Sequence, residues 1–206
     1  MQSKNILFLG GLGAPAFIYK PWHKVFQWIG YDIHIVPNSF LTMDKVSTFA
    51  GNLIGTASGL DSFDVIGVSY GGNASLYASY LSAELCEKTN KMVLVCAPAL
   101  GAPGWLDSIL SVLPKGRAGT LREMSSKSHV VRSIRELSLR KQLPFELHCM
   151  YHERDLMAPQ EQATLPEVGK SHKLDFQWKF VPRFLIHEVA CINPKTLQIL
   201  VQILID

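Results

Sequence analysis

Residues 64–85 carry the arrangement that most restricts how this chain can fold. Asp64–Ser69 (DVIGVS) is a short, continuous apolar run of strand type. Gly72–Leu85 has helical spacing, with Ala74, Leu76, Tyr77, Ala78, Tyr80 and Leu81 available for packing. Only Tyr70 and Gly71 separate them, so the chain must turn tightly from strand to helix. Gly67 and Gly71, two residues either side of Ser69, let neighbouring backbone approach without Cβ clashes. The run Gly67-Val68-Ser69-Tyr70-Gly71-Gly72 fits G-x-S-x-G, in which a serine on a strained turn lifts its hydroxyl above a sheet. A glycine-rich turn with a bystander serine is the competing reading.

Strand-like and helix-like segments alternate through most of the chain. Ile6–Leu9, Tyr31–Val36, Asp64–Ser69, Lys91–Ala97, Phe145–His152 and Phe180–Ile186 read as strands. Pro21–Ile29, Asp44–Leu60, Gly72–Leu85 and Pro194–Leu204 read as helices. This alternation predicts βαβ units and a mostly parallel sheet of about six strands. The strands are continuously apolar, as expected where helices cover both sheet faces. The span 101–143 contains no strand. Trp105–Leu113 and the region near Val130–Leu139 have helical spacing there. The span reads equally as a small lid-like excursion over the C-terminal sheet edge, where open α/β sheets bind ligands, or as ordinary crossover packing.

At 206 residues, with 48% hydrophobic and 18% charged, the chain suits one globular domain, 1–206. The net charge of +3 is scattered, with no basic run to make a phosphate-binding face, so nucleic acid is not an expected partner. Cys86, Cys96, Cys149 and Cys191 lack CxxC spacing, and the expectation is buried, reduced thiols. Lys4 followed by ILFLGGLGAPAF mimics a signal peptide, but the same segment supplies the first strand of the expected sheet. No other apolar run nears the roughly 20 residues of a membrane span, so stable membrane insertion is not expected and the location reads as cytoplasmic.

Nucleotide and metal readings are poor. Gly10-Gly11-Leu12-Gly13 follows a strand, but G-x-G-x-x-G is absent because Ala16 stands where a glycine is needed, and no Walker Lys-Ser/Thr follows. His148 and His152 lie four apart on an expected strand, so they do not share a helix face. No metal and no cofactor is expected.

With its elbow at Ser69 and its strand order, the chain resembles the α/β-hydrolases, particularly small bacterial lipases and related esterases. Gly10-Gly11-Leu12-Gly13 is similar to the lipase oxyanion loop, usually His-Gly-x-Gly, with Gly10 in place of the His. Val68 likewise replaces a common His of the elbow. The resemblance implies the chain order nucleophile, acid, base. His187, expected at the end of the last strand (RFLIHE), is the best-placed base, and His152 is the runner-up. His148 and His34 are expected inside strands, His23 on the first helix, and His129 and His172 in polar stretches. Asp155 in RDLMAP looks like the family's Asp-x-x-x-Pro loop, and Glu153 is the alternative acid. The resemblance also implies backbone N–H donors from Tyr70 and Leu12 for an oxyanion. The expectation is therefore an α/β-hydrolase fold cleaving a small-molecule acyl ester or thioester through Ser69, Asp155 and His187. Acyl transfer on the same residues and a non-catalytic binding module are the alternatives.

Overall fold

A computed structural model describes residues 4–12, 14–38, 45–106, 108, 119–140, 142–176, 181–182 and 185–206. Six parallel strands form one sheet in the order β2-β1-β3-β4-β5-β6. They are β1 Lys4–Leu9, β2 Tyr31–Ile35, β3 Phe63–Val68, β4 Thr89–Val95, β5 Glu146–Tyr151 and β6 Gly169–Lys173. The helices that matter for the site are α1 Lys20–Trp28, α2 Val46–Ala57 and α3 Tyr70–Leu81. After the short α4 Ala83–Lys88 and α5 Gly119–Glu123 come α6 His129–Ser138 and the single turn α7 Gln160–Ala163. The chain closes with α8 Ile186–Ile192 and α9 Pro194–Ile205.

Period-two alternation splits the sheet's side chains between two cores. Leu7, Leu9, Val65, Met92, Leu94, Leu147 and Cys149 pack on one face with residues of α2, α3 and α6. Ile6, Phe8, Ile66, Val68, Val93, Val95 and Met150 face the other core, with residues of α1, α8 and α9. Central strands are covered on both sides, which is why their sequences are apolar throughout. All four cysteines are free and buried. Among the described residues no single helix is long and apolar enough to cross a membrane.

Several sequence expectations need correction. The expected helix Gly72–Leu85 begins at Tyr70 and breaks at Ser82, whose hydroxyl accepts the Leu85 N–H and starts α4. The sixth strand is Gly169–Lys173, not Phe180–Ile186. Phe180, Arg183 and Phe184 lie outside the described residues, and Ile186 opens α8, where Ile186, Ala190 and Cys191 form its buried side. β6 escaped notice because it is a polar edge strand (GKSHK), paired only with β5 and mostly exposed. In 101–143, α6 matches the helix expected near Val130–Leu139. Most of the helix expected at Trp105–Leu113 lies outside the described residues.

Candidate active site

The site is assembled where β1, β3 and β5 end. Ser69 follows β3 directly and has φ 52° and ψ −119°, a left-handed backbone that serine rarely adopts. Tight surroundings hold it there. A Cβ at Gly71 would stand 2.5 Å from the Leu9 carbonyl oxygen, and one at Gly67 would stand 2.6 Å from the Gly72 Cα. The Ser69 N–H donates to the Val95 carbonyl at 2.7 Å, and its carbonyl accepts from the Gly72 N–H at 2.9 Å. The hydroxyl is left to project from the turn.

Asp155 lies in the loop after β5, completely buried. Its Oδ1 accepts from the Met157 and Ala158 N–H groups at 2.8 and 3.0 Å, an Asx-type turn that fixes the carboxylate plane. Its Oδ2 accepts from His187 Nδ1 at 2.8 Å. Burial alone would push this carboxyl up. The hydrogen bond and charge of His187, with the two backbone N–H groups, outweigh burial and hold it below its ordinary value.

His187 enters from the first turn of α8. With Nδ1–H committed to Asp155, Nε2 is the acceptor, and it meets Ser69 Oγ at 2.7 Å. Burial disfavours charge on this ring. The Cys191 sulfur, one helical turn on, and the Asp155 carboxylate favour it more, and its pKa rises to about 9. Cys191 itself is drawn down by a hydrogen bond from Cys96, against the effect of burial, while the Cys96 thiol is pushed up. The thiol pair is therefore coupled electrostatically to the His187–Asp155 pair.

The structure thus brings together Ser69, Asp155 and His187, but His187 starts a helix rather than ending a strand. The other candidates lie elsewhere. Glu153 pairs with Lys173 Nζ at 2.5 Å on the surface. His152 is buried as a structural group: its Nδ1 accepts the Arg154 N–H at 3.1 Å, and Nε2–H donates to the Phe176 carbonyl at 3.2 Å. His172, expected in an irregular polar stretch, lies on β6 with its ring nitrogen 2.9 Å from that of His148. His23 packs edge-on against Phe8, His129 against Tyr77, and His34 bonds Asn5.

Of the two backbone donors expected, Tyr70 opens α3 immediately after Ser69. Leu12 lies in the loop after β1, and its neighbour Gly11 borders the serine: a Cβ at Gly11 would touch the Ser69 Cβ at 3.5 Å. Gly13 lies outside the described residues. Among the described residues no three His, Cys, Asp or Glu side chains converge as a metal site. Tyr19, fully buried beside Gly11, is a polar neighbour that sequence reasoning missed. Its segment, PAFIYKPW, carries only a general aromatic signal.

No family model matches this chain, and no curated protein matches it in sequence. Solved structures do match. An α/β hydrolase enzyme from the metagenome of lagoon sediments at Mar Chica, Morocco, superposes with a TM-score of 0.64 at 17% identity, over 98% of this chain and 90% of that one. An esterase from Exiguobacterium antarcticum gives 0.63 at 14% identity, over 99% and 92%. A monoacylglycerol lipase from Paleococcus ferrophilus gives 0.64 at 12% identity, over 96% and 94%. At such identities the likeness establishes the fold, and the fold is that of the α/β-hydrolases.

Proposed function

We propose that this chain, built on the α/β-hydrolase fold, is a serine hydrolase that cleaves carboxylic esters or thioesters through an acyl-serine intermediate. The observation that carries the reading is the hydrogen-bonded relay from Ser69 Oγ to His187 Nε2 and from His187 Nδ1 to Asp155 Oδ2, at 2.7 and 2.8 Å. Fold likeness to an esterase and a lipase supports an ester substrate. Fold alone would not carry a function.

In this mechanism Ser69 Oγ attacks the acyl carbon as its proton passes to His187 Nε2. Asp155 keeps the Nδ1–H tautomer and stabilises the imidazolium that forms. The Tyr70 and Leu12 N–H groups hold the tetrahedral oxyanion, and loss of one such donor typically costs about 2.7–4 kcal/mol of transition-state stabilisation. His187 then returns the proton to the departing alcohol or thiol. Water, deprotonated by the same ring, attacks the acyl-serine, the second tetrahedral intermediate collapses, and the carboxylic acid leaves with Ser69 restored.

A fluorophosphonate probe, with peptide mapping, tests the reading. Stoichiometric labelling at Ser69, together with turnover of p-nitrophenyl esters, is the expected result. Folded protein that takes no label and turns over no ester would reject it in favour of a binding role.

A further inference from the structure

We propose that Tyr19 is a positioning residue for the oxyanion-binding loop, holding the Gly11 peptide so that the next N–H, that of Leu12, faces the Ser69 side. The inference rests on the hydrolase reading above and adds to it a side chain outside the relay.

Tyr19 ends the 3₁₀ turn Ala16–Tyr19 and has only 2% of its surface exposed. Its ring is wedged against Phe8 at 4.9 Å and Trp22 at 5.7 Å between centroids, so the hydroxyl has a fixed address. That hydroxyl accepts the Gly11 N–H at 3.4 Å, in the interior. A Cβ built on Gly11 would lie 3.6 Å from the Tyr19 hydroxyl and 3.5 Å from the Ser69 Cβ. The phenol and the serine therefore flank the same glycine.

The peptide geometry turns this contact into an orientation. The Gly11 carbonyl accepts the Ala14 N–H at 3.2 Å. This carbonyl and the Leu12 N–H belong to one peptide plane, and no peptide bond described is cis. In a trans peptide the two groups point in opposite directions. Tying the carbonyl to Ala14 thus aims the Leu12 N–H away from Ala14. The preceding peptide is tied at its N–H by Tyr19. Gly11 is the hinge between these tethers, and without a side chain it could rotate freely if either were cut. Burial pushes the Tyr19 phenol well above its ordinary pKa, so it stays a neutral hydroxyl across the working range. Removing the hydroxyl would strand a buried N–H, a state that backbone avoids by rotating toward a new acceptor.

Tyr19→Phe keeps the ring and removes only the tether. Wild type and variant are compared in p-nitrophenyl butyrate hydrolysis and in inhibition by butylboronic acid, which forms a tetrahedral adduct with an activated serine. The expected result is a kcat lower by about 10- to 100-fold, less than or near the loss of a whole oxyanion donor, with KM changed less than about twofold. Boronate affinity should fall by the same factor as kcat, because both need the oriented N–H. Unchanged kcat and boronate affinity in folded Tyr19→Phe overturns the proposal. A loss of thermal stability with the ratio of boronate to substrate affinity unchanged also overturns it, since that is packing alone. Amide exchange on ¹⁵N-labelled wild type gives a reading that needs no variant: the Gly11 amide should be protected, and exchange at open-loop rates overturns the tether. Wild type that takes no fluorophosphonate at Ser69 overturns the hydrolase reading itself, and this inference with it.

Discussion

Ser69 and Asp155 both follow central strands of one sheet, yet they are held by different means. Ser69 is held by backbone. Its φ of 52° is enforced by glycines 67 and 71, where a Cβ would stand 2.6 and 2.5 Å from neighbouring main chain. Asp155 is held by its own oxygens, one bonded to two backbone N–H groups and the other to His187. The first arrangement leaves the side chain free to react. The second saturates the side chain, which suits a group that must orient another and never leave. On this view, substitutions at the elbow divide cleanly into chemical and structural ones, whereas at Asp155 one carboxylate serves both purposes, with a different oxygen for each.

The largest expected effect is at the hydroxyl itself. Ser69→Ala should lower ester hydrolysis by up to about 10⁶-fold, because residues of a relay act as one unit. His187→Ala should be comparable, and the double variant little worse than either. Melting temperature should hardly move in Ser69→Ala, since the backbone sets the turn. A kinetic series on the three proteins, with melting curves alongside, checks this, and retained activity in Ser69→Ala would break the comparison at its first step.

Asp155→Asn comes next, with a loss on the order of 10⁴-fold, as the imidazole adopts the wrong tautomer. The Oδ1 turn can persist in Asn, so the fold should survive. Glu153→Gln, two residues away, should leave the rate nearly unchanged. Its ion pair with Lys173 joins two roughly half-exposed side chains, 58% and 46%, where water and salt screen the attraction. A large rate loss in Glu153→Gln with a small one in Asp155→Asn would exchange the two roles.

Gly71→Ala should act through structure. Its new Cβ meets the Leu9 carbonyl at 2.5 Å, which backbone must move to relieve. Overpacking of this kind costs about 1–3 kcal/mol. Gly59→Ala, where a Cβ meets nothing within 4 Å, is the matched control and should melt like wild type. Equal melting temperatures for the two variants would mean that glycines do not hold the elbow.

The same contrast explains what the amino-acid sequence made legible. Backbone constraint leaves a local signature, so GVSYGG between an apolar run and a helix pattern located Ser69 at once. The Asp155 loop was also local enough to find, in RDLMAP. His187, which lies between Ser69 and Asp155, was singled out on a mistaken premise, the end of a strand, because an apolar run such as FVPRFLI does not separate strand from helix. β6 was invisible because an edge strand paired on one side needs no apolar run. The His148–His172 contact depends on the β5–β6 register, Cys149 opposite Ser171, and no local pattern carries that. Tyr19 was missed for a similar reason: its value lies in what the fold sets beside it.

The smallest effect concerns the groups beneath the relay, and two readouts of opposite sign expose it. His187 has its pKa raised from 6.5 to about 9, against burial, by Cys191 and by Asp155. A general base works when neutral, so kcat/KM should rise with pH through about 9. Stability should run the other way. A ring whose pKa rises on folding contributes stability that is fully present below the unfolded value, near 6.5, and is lost as pH rises through about 9. Melting temperature, corrected for the rest of the chain by the same scan on His187→Ala, should therefore fall across the window in which activity climbs. Cys191→Ala removes the sulfur but keeps the Asp155 hydrogen bond. It should shift both limbs to lower pH together and leave the high-pH plateau of kcat within about tenfold of wild type, since no reacting group is lost. Matching limbs in wild type and Cys191→Ala would show that the carboxylates of Asp155 and Glu188, without the sulfur, set the base. Limbs that move in activity but not in stability would show that the titrating group is not His187.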